Sequence, residues 1–365
     1  MSGLLPEGFH DRLPPLADAA ARLEGRVLDV AASYGYERVD PPLAEFEESL
    51  ASRLKAATAK DAVRFVDPVS QRLLAIRPDI TAQVGRIAAT RMAHHPRPVR
   101  LSYGGAVLKL RASELRPERA MRQIGCELIG LDSIAAAREI VTVAVEALAA
   151  AGIGGVSIDF TLPDLVDTLA AGAMPIDKLE ALRTALDAKD AGAVAAIDTA
   201  FLPLIEAAGP FDGALASLRR IDAGRALVSR LDALEKIAAC LSGRAALTLD
   251  PTERHGFEYQ TWIGFSIFAD GVRGEIGRGG SYAVMHEDGS EEPAMGVSLF
   301  VDPILDAGLV TGERRRLFVP FDTPHETVAA LRGEGWVTVS ALTGDDTPQR
   351  QLCSHTLGAN GPEPL

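Results

Sequence analysis

The chain has 365 residues, of which 47% are apolar and 24% charged, and its formal net charge is −13. That length allows one large domain or two, each with its own core, and no apolar run approaches the roughly 18 residues that suggest a membrane span. The acidic balance argues against general nucleic-acid binding, which rests on clustered Lys and Arg; a protein partner or a small polar ligand is easier to accommodate.

From Pro15 to Ala32, apolar Leu16, Ala20, Leu23, Val27 and Val30 recur every three or four residues, which predicts an amphipathic helix ended by Gly35. ERVDPPLAEFEESL then predicts a short strand broken by Pro41 and Pro42. RFVDPVSQRLLAIRPDIT alternates around a turn near Asp67-Pro68, as a β-hairpin does, and TAQVGRIAATRMAHH resumes a helical period. Val99–Leu110 and Met121–Gly130 predict an antiparallel pair with a long connection. SIAAAREIVTVAVEALAAAG predicts a helix ending at Gly152, and GVSIDFTL a strand. Pro163–Gly243 is Ala- and Leu-rich with helical periodicity, so it predicts a helical insertion rather than more sheet.

ALTLD, FEYQTWIGFSIFAD and GEIGRGGSYAVM predict strands, and AMGVSLFVDPILDAG a strand entering a helix. The last sixty residues, Asp306–Leu365, begin with a strand and a short helix and are otherwise too loosely patterned to assign as a complete domain; Arg314–Arg316 reads as a solvated lead-in to the strand. Turns and loops, rather than a regular β-α alternation, separate most strands. The expected class is therefore α+β, a largely antiparallel sheet flanked by helices.

The N-terminus carries acidic residues where a secretory signal has a basic flank, so a mature start and a cytoplasmic location are expected. Cys126, Cys240 and Cys353 are widely separated and odd in number, which fits small buried apolar residues rather than a disulfide framework. No metal is expected: His94 and His95 are adjacent and read as polar helix-end residues, and no other His or Cys lies at ligand spacing. Gln123, Gly125 and Glu127 alternate with Ile124 and Cys126 along one strand, so their side chains share a face. Pattern alone leaves two readings open, a half-exposed strand or a cation-accepting cleft.

YGYERVDPPLAEFE, AIRPDITAQVGR, RLSYGGAVLKLRASELRPERAMRQIGCELIG, HGFEYQTWIGF, RGGSY and AMGVSLFVDPIL occur in the order expected of one family. From about Pro6 to about Leu305 the chain resembles the catalytic domain of histidyl-tRNA synthetase, a class II synthetase. The resemblance implies a homodimer formed through the Pro42 segment and the preceding helix. It also implies a histidine pocket: Asp79 and Thr81 stand where the family meets the α-amino group, Gln123 and Glu127 where it receives the amino group and imidazole, and Tyr259 at the first of paired tyrosines. Two departures touch that pocket, His255 in place of an Arg and Gln260 in place of the second Tyr.

The nucleotide side departs further. Lys109 and Arg111 stand in place of the Arg and Glu of the second class motif, Pro117 in place of another Arg, and Pro303 in place of the Arg that closes the third. A Lys lacks the planar bidentate grip of Arg, and Arg111 inverts a charge. Ser281 replaces a family Arg in RGGSY, whose Gly279 and Gly280 fit a preserved backbone turn. The sixty residues after the synthetase-like part are fewer than the roughly 100 of an anticodon-binding domain, so tRNA binding is not expected.

Retained histidine pocket, lost nucleotide residues and missing anticodon domain are together the pattern of ATP phosphoribosyltransferase regulatory subunits. That resemblance implies no catalytic residues and no cofactor. It implies a hetero-octamer of four regulatory and four short-form catalytic chains in the first step of L-histidine biosynthesis, with L-histidine as the sensed ligand. A divergent enzyme that forms histidyl adenylate, and a scaffold that binds no histidine, are the alternatives.

Overall fold

A computed structural model describes residues 4–51, 62–111, 118–172, 176, 178–222, 224–254, 260–310 and 315–365. Two compact units divide the chain, one of Met1–Leu13 and Ala19–Val310, the other of Pro14–Asp18 and Thr311–Leu365. Among the described residues no helix is long and apolar enough to cross a membrane.

The first unit is built on a nine-stranded sheet. In spatial order its strands are Glu37–Arg38, Val99–Leu108, Ala120–Ile129, Glu291–Phe300, Gly277–Met285, Gln260–Ala269, Val156–Thr161, Ala246–Leu249 and Gly209–Pro210. Only Glu37–Arg38 with Val99–Leu108, and Val156–Thr161 with Ala246–Leu249, run parallel. The largely antiparallel α+β sheet is thus the one expected.

Both faces of this sheet are covered. Ile124, Cys126 and Leu128 point into the main core, with Leu23 and Val27 of the helix Leu16–Ser33 and Ile140, Val141 and Leu148 of the helix Ile134–Ala150. On the other face Leu101, Tyr103, Ile129, Tyr282 and Val284 pack against Val84 and Ala88 of the helix Thr81–Thr90. This second layer buries residues that strand alternation alone would leave facing water.

The local signals that start and stop these elements are physical. Ser133 is the N-cap of Ile134–Ala150, its side chain accepting from the Ala136 N–H at 3.1 Å. Gly152, at φ +83°, follows the same helix. Ser133→Ala is expected to lower unfolding free energy by about 1 kcal/mol, the usual worth of an N-cap, as read by urea denaturation; no change would mean that water replaces the cap. At the predicted hairpin, Val63–Val66 pairs with Leu73–Ile76, and the Asp67 carboxylate accepts from the N–H groups of Val69 and Ser70.

Several expectations are corrected. The single broken strand after Tyr36 is two strands in different sheets: Glu37–Arg38 joins the large sheet, while Ala44–Phe46 pairs with Leu73–Ile76 and leads into the helix Glu47–Ala51. The prolines between them can donate nothing to a ladder, but their carbonyls accept, Pro41 from Arg77 Nη1 at 2.7 Å and Pro42 from Gln83 Nε2 at 2.8 Å.

The insertion holds helices from Leu165–Ala171 to Val228–Ala239, but it also adds the edge strand Gly209–Pro210, a position where a proline is tolerated. Of the cysteines only Cys126 is buried; Cys240 and Cys353 are half-buried. Cys240 sits at the C-terminal cap of Val228–Ala239, where its thiol donates to the Ile237 carbonyl.

The second unit is a four-stranded sheet with one helix. Arg316–Val319 lies between Val337–Ser340 and His355–Gly358, parallel to both, and Gly361–Pro364 is antiparallel to His355–Gly358. Leu317 and Val319 pack with Val328 and Leu331 of the helix His325–Gly333.

Candidate functional site

Register places the site. Glu127 lies between Leu101 and Gly296, Gly125 between Tyr103 and Ser298, and Gln123 between Gly105 and Phe300. Directly opposed residues of an antiparallel sheet share a face, so Glu127, Gln123, Tyr103 and Ser298 converge beneath the N-terminus of the helix Thr81–Thr90. Gln123 and Glu127 are each only 1% exposed, which rules out a half-exposed strand.

The carboxylate of Glu127 is held by hydroxyls. Its Oε1 accepts from Thr81 Oγ1 at 2.9 Å and from Tyr103 OH at 3.0 Å, and its Oε2 from Tyr282 OH at 2.8 Å. Burial pushes its pKa up to about 8; the donating hydroxyls oppose that rise and the nearby charge of Asp79 adds to it. Burial likewise drives the Tyr103 phenol well above its ordinary range, with the charge of Glu127 adding to the effect.

Gln123 and Asp79 form a second, linked network. Gln123 Nε2 donates to Asp79 Oδ2 and to Ser298 Oγ, both at 2.8 Å, while its Oε1 accepts from the Ile80 N–H at 3.0 Å. Asp79 Oδ1 accepts from the Thr81 N–H at 2.7 Å. The two networks meet at Ser298, whose hydroxyl lies 2.9 Å from Tyr103 OH.

A small, open recess lies beside Glu127, bordered by Thr81, Gln260, Arg278, Tyr282, Gly296 and Ser298. Gly296 makes it possible, because a Cβ there would stand 1.5 Å from Glu127 Oε2. Of the predicted site residues, Thr81 and Glu127 line this recess. Gln123 stands behind them, and Asp79 borders a separate hollow with Leu50, Ala75 and Ala82. Tyr259 and His255 lie outside the described residues.

Tyr103, Tyr282 and Ser298 are not among the predicted site residues, although all three sit inside motifs that carry the resemblance, and Tyr282 is one of the family residues kept in RGGSY. Their signal was register: each shares the face of Glu127 once the strands are paired. Gly279 and Gly280 belong to a strand paired with Glu291–Phe300 rather than to the turn expected of them, and Gly279 is required by close packing, since a Cβ there would lie 2.4 Å from both the Gly296 carbonyl and the Phe265 ring.

The nucleotide side is occupied by ion pairs. Asp302, which precedes Pro303, is 3% exposed; it pairs with Arg12 and accepts from the Arg122 N–H at 2.8 Å. The Arg122 guanidinium is engaged in turn by the buried Glu24. Arg111 is exposed at the end of the Val99–Leu108 strand, and Pro117 lies outside the described residues. A buried, paired carboxylate at this place does not attract phosphate. Among the described residues no group of three or more His, Cys, Asp or Glu is placed to hold a metal ion.

This sheet, with its hydroxyl-caged carboxylate, is that of a histidyl-tRNA synthetase-like protein: the family model described as histidyl-tRNA synthetase matches residues 8–304. The chain is also 44% identical over 371 residues to the ATP phosphoribosyltransferase regulatory subunit of Rhodospirillum centenum, covering 98% of this chain and 95% of that one. It belongs to the family of ATP phosphoribosyltransferase regulatory subunits.

Solved structures share the fold. An ATP phosphoribosyltransferase regulatory subunit/histidyl-tRNA synthetase from Bacillus halodurans superposes with a TM-score of 0.79 at 18% identity, over 96% of each chain. A chain of the ATP phosphoribosyl transferase (HisG:HisZ) complex from Thermotoga maritima superposes with a TM-score of 0.60 at 18% identity, over 77% of this chain and 97% of that one.

Proposed function

We propose that this chain is the non-catalytic regulatory subunit of ATP phosphoribosyltransferase, required by a short-form catalytic subunit in the first step of L-histidine biosynthesis, and that its recess takes L-histidine as the feedback signal. Membership of the regulatory-subunit family supports the first part. The second is carried by Glu127, a buried carboxylate whose hydrogen-bond partners among the described residues are all hydroxyls. A ligand N–H or cation is the group such a carboxylate still lacks.

The same reading makes aminoacylation absent. The place of the closing Arg is Pro303, and the adjoining Asp302 pairs with the Arg12 guanidinium and accepts from the Arg122 backbone N–H, so a neutralised ion pair stands where the charge that stabilises a transferring nucleotide is needed. The chain then acts in the cytoplasm within a hetero-octamer of four catalytic and four regulatory subunits. Regulatory subunits pair through the Pro42 segment and the helix Leu16–Ser33. Asp79, Thr81, Gln123, Glu127 and Tyr259 form the histidine site.

Histidine regulates only if it binds the active and inhibited assemblies with different free energies, typically by about 1–3 kcal/mol. The test mixes purified chain with a short-form catalytic subunit and follows phosphoribosyl transfer. Transfer is expected in the mixture and is expected to fall as histidine is added. A catalytic subunit that the mixture leaves unaltered overturns the proposal, and histidine-dependent pyrophosphate exchange by this chain alone would return it to the synthetases.

A further inference from the structure

In the helical insertion, the helix Leu179–Asp187 ends in a corner that suits glycine. Its C-cap is Ala188, and Lys189 follows at φ +54°, the left-handed position after a helix where a side chain is strained and glycine is usual. The helix Ala191–Ile197 starts at once, capped by the Asp190 carboxylate, which accepts from the Ala193 N–H. Neither cap uses the Lys189 side chain. Strain of this kind persists where surrounding contacts over-determine it, and those contacts lie outside the insertion.

Lys189 reaches the segment Asp250–Arg254. Its Nζ donates to Asp250 Oδ1 at 2.5 Å and to Thr252 Oγ1 at 2.6 Å. The same corner holds the segment twice more: the Thr252 hydroxyl faces the Leu186 carbonyl at 3.4 Å, and the Arg254 N–H donates to Asp187 Oδ1 at 2.6 Å.

On its other side the segment is tied to the sheet face that carries the recess. The buried Thr161 hydroxyl donates to the Glu253 carbonyl at 2.7 Å. Thr161 is in register with Gly264, Gly264 with Gly280, Gly280 with Gly296, and Gly296 with Glu127. One row of the sheet therefore runs from this segment across three glycines to the buried carboxylate. Asp250 and Arg278, the latter bordering the recess, both act on the half-buried Glu253 carboxyl: burial pushes it up to about 7, Asp159, Asp250 and Glu275 add to the rise, and Arg278 opposes it. Past Arg254 the chain runs on to the strand Gln260–Ala269, whose first residue also borders the recess.

We propose that Lys189 is a positioning residue for the ligand recess: it clamps the segment Asp250–Arg254 from the helical insertion, so that insertion and recess respond to one another. The inference rests on the histidine reading of the recess. Calorimetry with L-histidine on the full chain tests it, with thermal melting of each variant.

Lys189→Gly removes the clamp but relieves the left-handed backbone, so the melting temperature should stay within about 3 °C while histidine affinity falls about fivefold, a coupling of ordinary size. Lys189→Arg keeps the charge and should stay within about twofold of the natural chain. Asp250→Asn should cost about as much affinity as Lys189→Gly, and the double variant no more than either, since the two act through one contact. Unchanged affinity in Lys189→Gly, a loss in Lys189→Arg as large as in Lys189→Gly, or losses that multiply in the double variant overturn the inference alone. If Lys189→Gly does not fold, Asp250→Asn decides, and unchanged affinity there overturns the inference. Absence of histidine binding by the natural chain overturns the histidine reading and this inference with it.

Discussion

Glu127→Ala is expected to weaken L-histidine binding about a hundredfold, and the assembled complex carrying it is expected to lose inhibition by histidine. A cationic ligand draws the buried carboxyl into its charged form; a hydrogen bond to a charged group contributes about 1.5–3 kcal/mol, and 2.7 kcal/mol is a hundredfold in affinity. The substitution also leaves the hydroxyls of Thr81, Tyr103 and Tyr282 without their shared acceptor, which loosens the wall of the recess. Calorimetry reads the affinity, and an unchanged dissociation constant would remove Glu127 from the site.

The same carboxyl carries a pH signature. Burial raises its pKa from 4.5 in the open chain to about 8 in the fold, so the folded protein holds a proton that the unfolded chain releases. Its contribution to stability is therefore fully present below pH 4.5, declines as pH rises toward 8, and is constant beyond. Glu127→Gln, neutral at every pH, should flatten that decline: relative to the natural chain it gains on the order of 2–4 kcal/mol between pH 5 and pH 8. Urea denaturation at the two pH values checks the sign, and a parallel pair of profiles would contradict it.

How much of this was legible in the sequence depended on whether a property was local. Ser133 before an Ala-rich run, Gly152 after it, and Asp67-Pro68 between two alternating segments act within a few residues, and the helix and hairpin lie where they were read. The alternation of Gln123, Gly125 and Glu127 fixed their common face but not its burial, because the layer that covers it, the helix Thr81–Thr90, comes from forty residues earlier in the chain. Tyr103 and Tyr282 reach Glu127 from strands on different sides of it, and only register brings them together. Ser281 reads as a lost Arg in sequence; in three dimensions its buried hydroxyl accepts from the Trp262 and Ile263 N–H groups at a bulge in the facing strand. The last unit was legible only in part: its opening strand and short helix lie where they were read, but its other strands are four residues long and its buried core is Leu317, Val319, Val328 and Leu331, too little alternation to stand out from loop sequence.

Gly296→Ala is expected to damage both stability and ligand binding. The added carbon would stand 1.5 Å from Glu127 Oε2, and Glu127 cannot swing aside without breaking the hydroxyl contacts that fix both of its oxygens. Overpacking alone costs about 1–3 kcal/mol, and losing the buried hydrogen bonds adds about 1 kcal/mol each. Chemical denaturation should show a loss of about 3 kcal/mol or more, accompanied by a hundredfold loss of histidine affinity. Gly25→Ala supplies the contrast: it lies within the helix Leu16–Ser33 with nothing within 4 Å of its Cβ position, and should stabilise by about 0.5–1 kcal/mol through helix propensity. The decisive comparison is the pair Gly296→Ala with Glu127→Ala. If the damage is the collision, truncating Glu127 relieves it, and the double variant is more stable than Gly296→Ala alone; simple additivity of the two losses would show that Gly296 is needed for some reason other than room for Glu127.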